Sequence, residues 1–253
     1  MLTLPLARPP WPYIGKKLES CVRKAIHEFE LVEGVDKMAV ALSGGKDSLS
    51  LLFLLNAIRG RGVRPFELVA VNVSGEFTCG AGVGGGLLKS VCEALEIPLI
   101  VKESNKTLEE LECYSCSRER RSLLFAAAKE AGCQAIAFGH HQDDSAQTLM
   151  MNLLHKGEFA GMLPKLHMHD YGITIIRPLI LAEEAQIIAF AKHFGFARIT
   201  CKCPVGQTSV RKKTEGLIQE LEAIFPHARS NLAQAALNYG SKKAAEVPQK
   251  KRK

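Results

Sequence analysis

An α/β fold, a parallel-sheet Rossmann-like domain with helical additions at both ends, follows from three observations on this sequence. Short apolar runs of strand type alternate with segments of helical period, which calls for a parallel sheet covered on both faces. The runs are continuously apolar, as in strands buried on both sides. One of them, Met38 to Leu42, breaks directly into a glycine turn with a helix opening behind it.

The elements follow in order. Lys16 to Val32 reads as a helix, because Leu18, Val22, Ile26 and Phe29 recur at three- and four-residue steps. The strand 38–42 comes next, then a loop and a helix that runs to about Arg59, where Gly60 and Gly62 end it. Phe66 to Val73 is a second buried strand, followed by a glycine-rich loop over 75–86 and a helix from Leu87 to Leu95. Pro98 to Val101 is a third strand, Arg118 to Ala131 a helix, and Gln134 to Phe138 a fourth strand. A helix from about Asp144 to Leu154, a fifth strand at Ile173–Ile176 and a helix over Glu183–His193 complete the alternation. Beyond Cys203 the pattern is helical, over Ser209–Phe225 and Asn231–Tyr239. The expected organisation is an N-terminal extension and helix (1–35), a nucleotide domain (36–200), a helical C-terminal region (201–240) and a disordered basic tail (241–253).

The 253 residues are 47% apolar and contain no run of about 18 apolar residues, so a globule without membrane spans is expected. Met1 to Tyr13 holds four prolines and lacks a basic region followed by a long apolar stretch. It does not read as a signal peptide, and a cytoplasmic location follows. There, eight cysteines are ligands, catalysts or core residues before they are disulfides. The net charge is +7, and residues 242–253 carry six Lys/Arg against one Glu, a formal +5. Such a tail can track a nucleic-acid backbone, or can simply be a solvated tail.

The turn after the first strand reads Ser43-Gly44-Gly45-Lys46-Asp47-Ser48. Paired glycines let backbone N–H groups converge, and the helix N-terminus behind them adds positive potential, which makes a phosphate nest. Ser43 and Ser48 can donate to phosphate oxygens, Lys46 adds charge, and Asp47 can hold a Mg²⁺ on the same phosphates. The spacing is not that of the Walker loop. After the fourth strand, Gly139-His140-His141-Gln142-Asp143-Asp144 sets two imidazoles and two carboxylates at a second strand end. Ligands of parallel sheets sit at such ends. Asp143 or Asp144 can share the Mg²⁺ with Asp47; the plainer account is an acidic helix start that complements the dipole. Gly80 to Gly85 formally fits G-x-G-x-x-G but lies far from its strand, and reads as a loop.

Cys21, Cys92 and Cys133 fall on apolar helix faces or at a helix end and read as core; Cys79 lies in the glycine loop. Cys113-Tyr-Ser-Cys116 opens a helix beside Arg118, Arg120 and Arg121, and Cys201-Lys-Cys203 follows some 85 residues later. The helix dipole and the arginines favour thiolates there. The cysteines could close a structural Zn²⁺ site, hold a [4Fe–4S] cluster on three thiolates, or act as a redox or persulfide pair. The residues alone favour zinc by a small margin.

The Ser43–Ser48 pattern resembles the loop of the PP-loop pyrophosphatases, which split ATP into AMP and pyrophosphate. Taken with Cys113–Arg121, Gly139–Asp144, Gly157–Leu166, Ile176–Leu179 and Cys201–Cys203, the chain resembles the tRNA 2-thiocytidine synthetases over roughly residues 16–240. That resemblance implies an adenine-nucleotide α-hydrolase-like fold. It also implies a tRNA sulfurtransferase that uses Mg–ATP to adenylate the C2 oxygen of an anticodon-loop cytidine, position 32, before sulfur replaces it. It implies ATP at Ser43–Ser48 and Gly139, and catalytic roles for Asp47, Asp143, Asp144 and Arg120. It favours a [4Fe–4S] cluster over zinc, on Cys113, Cys116 and Cys203, with Cys201 as the alternate. Partners implied are tRNA, a cysteine desulfurase or other sulfur donor, and a second copy in a homodimer; no membrane is expected. Arg118, Arg121, Lys202, Arg211, Lys212 and Lys213 suit phosphate contacts or a generic basic surface. Ser74 to Gly86 lacks the acidic, glutamine-bearing segment associated with such enzymes, and Cys201-Lys-Cys203 has one intervening residue where they have two. The competing classes are 2-thiouridine and lysidine synthetases, which share the phosphate loop, and a zinc-stabilised nucleotide-binding module without chemistry.

Overall fold

The computed structural model describes residues 4–75, 85–104, 113–196 and 209–240. The glycine loop with Cys79, both Cys201 and Cys203, and the basic tail lie outside the described residues, and of Cys113 and Cys116 only the backbone is described. The chain runs α1 (Tyr13–Glu28), β1 (Lys37–Ala41), α2 (Lys46–Ile58), β2 (Glu67–Ser74), α3 (Gly85–Ala94), β3 (Leu99–Glu103), α4 (Cys113–Glu130) and β4 (Ala135–Ala137). It continues with α5 (Gln142–Lys156), β5 (Lys165–Met168), β6 (Ile173–Ile176), α6 (Glu184–His193), α7 (Val210–Ile224), α8 (Ala228–Ala235) and a π-helical turn (Ala236–Gly240).

The six strands form one sheet in the order β3-β2-β1-β4-β6-β5. Every pairing is parallel except β5 with β6. The α/β expectation holds, with one addition: β5 is an antiparallel edge strand that the sequence pattern did not reveal. Lys165 to Met168 is short and half-buried, and Pro164 stands before it, so it carries neither the apolar run nor the length of the inner strands.

Side-chain alternation along the strands divides the core in two. Met38, Val40, Leu42, Leu68 and Ala70 face α1, α2, α3 and α6. Ala39, Val69, Val71, Ile136 and Ile175 face α4 through Leu124, Phe125 and Ala128. Phe190 and Phe194 of the α6 end hold Trp11 edge-on, which fixes the N-terminal segment to the same core. A third, small cluster of Ala146, Ile218 and Ala233 joins α5 to α7 and α8. Cys92 and Cys133 are buried, as expected of core thiols, and burial pushes the Cys92 thiol up to about 11. Among the described residues no helix is long and apolar enough to cross a membrane.

The strand order reverses at β1. From there the chain winds outward to β2 and β3, then crosses back to place β4 on the other side. The crevice above the carboxyl ends of β1 and β4 is therefore the switch point at which doubly wound sheets take their ligands.

Candidate active site

The loops after β1 and β4 meet at that crevice. Leu42 continues the β1 ladder through its N–H to the Val71 carbonyl, 2.8 Å, and the Asn72 side chain donates to the Leu42 carbonyl at 2.6 Å. Beyond it the chain turns sharply. Gly44 takes the left-handed conformation at φ 83°, which a side chain would resist, and Gly45 caps α2. The Ser43 and Ser48 hydroxyls lie 3.2 Å apart, the Ser43 hydroxyl accepts from Gly45 N–H at 3.3 Å, and the Ser48 hydroxyl donates to the Gly45 carbonyl at 3.0 Å. The turn is thus held open by its own side chains, with the first N–H groups of α2 left for a ligand.

Gly139 is the contact between the two loops. A Cβ there would stand 2.9 Å from the Asp47 carbonyl carbon and 3.1 Å from Ser48 N, so only glycine lets them approach. His141 then caps α5, its N–H donating to Asp144 Oδ2 at 3.1 Å. Its ring stands among three carboxylates: Nδ1 is 3.4 Å from Asp143, and Nε2 is 3.4 Å from Asp144 and 3.8 Å from Asp47.

The adjacent carboxylates of the second motif face different ways. Asp144 and Asp47 both line a cavity of about 290 Å³ above β1 and β4, with Ser43, Ser48, Gly139, His140 and Arg120. Asp143 is turned away from it, accepting from Glu184 N–H at 2.8 Å and pairing with Arg229 of α8 at 3.2 Å. Asp144 is also held by Arg211 of α7 at 2.9 Å. Arg211 and Arg229 gained no such partnership from the sequence. Nothing in the helical period of 209–239 marks either as reaching a motif more than sixty residues upstream.

The charges around this cluster follow from burial and neighbours. Burial pushes the Asp47 carboxyl up, against the opposing pull of Lys46 and His141. Burial also works against charge on Asp143 and Asp144, yet His141 and the nearby arginines outweigh it and hold both below the usual carboxylate range. The same carboxylates overcome burial at His141 and raise it. His140, one residue away, is pushed down to about 3 by burial and stays neutral. Lys46 is pinned between Asp47 (3.0 Å) and Glu184 (2.8 Å), and those carboxylates raise it against the effect of burial.

Among the described residues no group of three or more His, Cys, Asp or Glu is arranged to hold a metal ion. Asp47 and Asp144 suit a Mg²⁺ that takes one or two carboxylates and completes its shell from substrate phosphates and water. The backbone of Cys113 and Cys116 lies in the first turn of α4. From the next turns of that helix, Ser117, Arg120 and Arg121 line a second chamber beside the cavity. The third expected thiolate lies outside the described residues.

Three comparisons bear on this geometry. Residues 16–199 match the PP-loop domain family. The tRNA-cytidine(32) 2-sulfurtransferase of Syntrophotalea carbinolica is 36% identical over 234 residues, covering 88% of this chain and 89% of that protein. Its counterpart from Geobacter metallireducens is 36% identical over 231 residues, covering 88% and 90%. In fold, the U34-tRNA thiolase NcsA from Methanococcus maripaludis, solved with its [4Fe–4S] cluster, superposes with a TM-score of 0.70 at 21% identity, over 93% of this chain and 81% of that one.

Proposed function

The chain belongs to the PP-loop domain family, in the branch of the tRNA-cytidine(32) 2-sulfurtransferases, and we propose that it is an ATP-dependent enzyme that thiolates tRNA at an anticodon-loop cytidine. The observation that carries this is the meeting of the Ser43–Ser48 turn with the Gly139–Asp144 turn at the switch point, with Asp47 and Asp144 on one cavity.

ATP lies with its phosphates on the Ser43–Ser48 nest, where the Ser43 and Ser48 hydroxyls and the N-terminal N–H groups of α2 receive the pyrophosphate portion. Asp47 and Asp144 are the residues that would hold a Mg²⁺ against those phosphates. Asp143 keeps α5 in register with α6 and α8 and so positions Asp144. The C2 oxygen of the target base attacks the α-phosphate, because the nest stabilises pyrophosphate as leaving group. The base oxygen then departs as part of AMP when sulfur takes its place. Arg120, at the edge of the cavity, offsets charge that develops on the phosphates.

Cys113 and Cys116, with Cys203 or Cys201 as the third thiolate, would hold a [4Fe–4S] cluster. Bound there, it supplies an iron with a free position for sulfur. The fit rests on donor type and place: thiolates at a helix N-terminus, in a helix whose next turns wall the cleft.

Mass spectrometry of tRNA nucleosides from cells without this protein checks the reading. 2-Thiocytidine should vanish, return with the native gene, and stay absent with Asp47→Ala. Unchanged 2-thiocytidine in the deleted strain would overturn the activity, and rescue by Asp47→Ala would overturn the ATP site.

A further inference from the structure

Beside the nucleotide cavity lies a second chamber of about 480 Å³, within the range of roughly 300–1,000 Å³ typical of small-molecule sites. Its lining mixes two chemistries. Leu163, Leu166 and Ile175, from the segment before β5, from β5 itself and from β6, are apolar. Arginines from α4, α7 and the end of β6 stand among them, and among the described residues no carboxylate lines the chamber.

Arg211 is paired with Asp144 at 2.9 Å, whereas Arg177 meets only neutral acceptors. Arg177 donates to the Leu163 carbonyl and, at 3.3 Å, from Nε to His140 Nδ1; neither acceptor carries charge. Its pKa is drawn down to about 10, by burial first and then by the charge of Arg121. Arg120 Nε and Thr148 Oγ1 are buried without a hydrogen-bond partner. Unsatisfied buried donors of this kind mark a place where a ligand completes the bonding.

The two cavities share Arg120, Leu124, Phe138 and His140, so an occupant of the second chamber touches the first. The His140 ring stacks on Phe138 at 5.5 Å and 14°. A guanidinium can only donate, so His140 Nδ1 accepts from Arg177, and the neutral ring carries its proton on Nε2. The partition between the chambers thus presents one fixed N–H donor.

A chamber that sets apolar side chains beside guanidinium groups, with no carboxylate in its described lining, suits one nucleotide unit, with its base on the apolar side chains and its phosphate on the arginines. We propose that this chamber seats the target pyrimidine of the RNA, turned out of its stack, with its base against Leu163, Leu166 and Ile175, its flanking phosphate on Arg121 and Arg177, and His140 Nε2–H donating to the base carbonyl. The assignment rests on the thiolation reading above. It adds the seat that brings the base carbonyl next to the bound nucleotide, and it makes Arg177 a positioning residue for His140.

The test is fluorescence anisotropy with two anticodon stem–loop hairpins, one carrying the target cytidine and one abasic at that position. The native protein should prefer the first by about tenfold, the scale of one base held by stacking and hydrogen bonds. Leu166→Trp, which fills the chamber and removes no charge, should erase the preference while ATP affinity and thermal midpoint stay near native. Arg121→Ala, on an exposed side chain, should weaken the cytidine hairpin by a similar factor. Equal native affinity for the two hairpins, or undiminished preference in Leu166→Trp, would overturn the seat. Cytidine 5′-monophosphate binding as tightly as the hairpin would overturn it as an RNA site in favour of a free nucleotide. A failure of thiolation is read separately, from cellular nucleosides, and leaves the hairpin preference to stand or fall by itself.

Discussion

At the scale of single residues, the site depends on an absent atom. Gly139 adopts no left-handed backbone; it is glycine because β1 and β4 bring their loops into backbone contact. In Gly139→Ala the new Cβ must push against Asp47 and Ser48, which are the first turn of a buried helix and cannot give locally. Overpacking of this kind costs about 1–3 kcal/mol. The expected outcome is a folded protein with a lower thermal midpoint and an ATP affinity reduced by about tenfold or more, because displaced nest N–H groups no longer converge. Calorimetric titration with ATP checks it, and native affinity would show the two loops to be independent. The same scale explains what sequence could and could not say of the second motif. The residue types at Gly139–Asp144 marked a strand end rich in acid and imidazole. Which carboxylate faces the cavity is set by a helical step of about 100° between neighbours, and here it turns Asp144 inward and Asp143 toward α8.

At the scale of elements, the last two helices are tied to the site by Arg229, beside the Arg211–Asp144 pair and the small apolar cluster on α5. Arg229 of α8 meets Glu215 at 2.7 Å, Glu222 at 2.9 Å and Asp143 at 3.2 Å. Those bonds raise the guanidinium further above its ordinary value, and they hold the Glu215 carboxyl below its own, with Gln147 assisting. Arg229→Ala leaves three carboxylates facing one another with their shared cation gone. Breaking a largely buried ion pair costs about 3 kcal/mol. A group with a lowered folded-state pKa stabilises the fold above its unfolded value, here near 4.5 for Glu215, and loses that contribution as pH falls through the lowered value. Urea unfolding should therefore show the native protein weakening below about pH 4.5. Arg229→Ala should be less stable at pH 7 and show a shallower acid decline. Identical acid limbs would mean the cluster adds no stability. These helices were legible as helices, because Thr214 and Ile218 fall one turn apart on the buried face. Their docking partner was not, since a lone Arg carries no periodicity and its carboxylates come from two helices, α5 and α7, far apart in sequence. The inner strands were legible for the opposite reason, as unbroken apolar runs that only a doubly covered sheet accommodates.

At the scale of the whole molecule, the charge is concentrated in one short stretch of the sequence. The chain carries +7 overall, and +5 of it sits in residues 242–253, which follow the last two helices in sequence. Two contributions to RNA affinity should then separate. Contacts to the backbone release counterions, with a slope in log K against log salt of about −0.7 to −0.9 per phosphate neutralised. The base seat buries apolar surface and neutral hydrogen bonds, and depends little on salt. Removing residues 242–253 should make the salt slope of hairpin binding shallower by up to about 4 units, while the ratio of affinities for the cytidine and abasic hairpins stays the same at every salt concentration. Leu166→Trp should do the reverse, collapsing the ratio and keeping the native slope. Anisotropy titrations over a series of KCl concentrations measure both quantities from one data set. A slope unchanged by the truncation would remove the tail from the RNA footprint, and a ratio that falls with the slope would mean that base and backbone are read by the same basic surface.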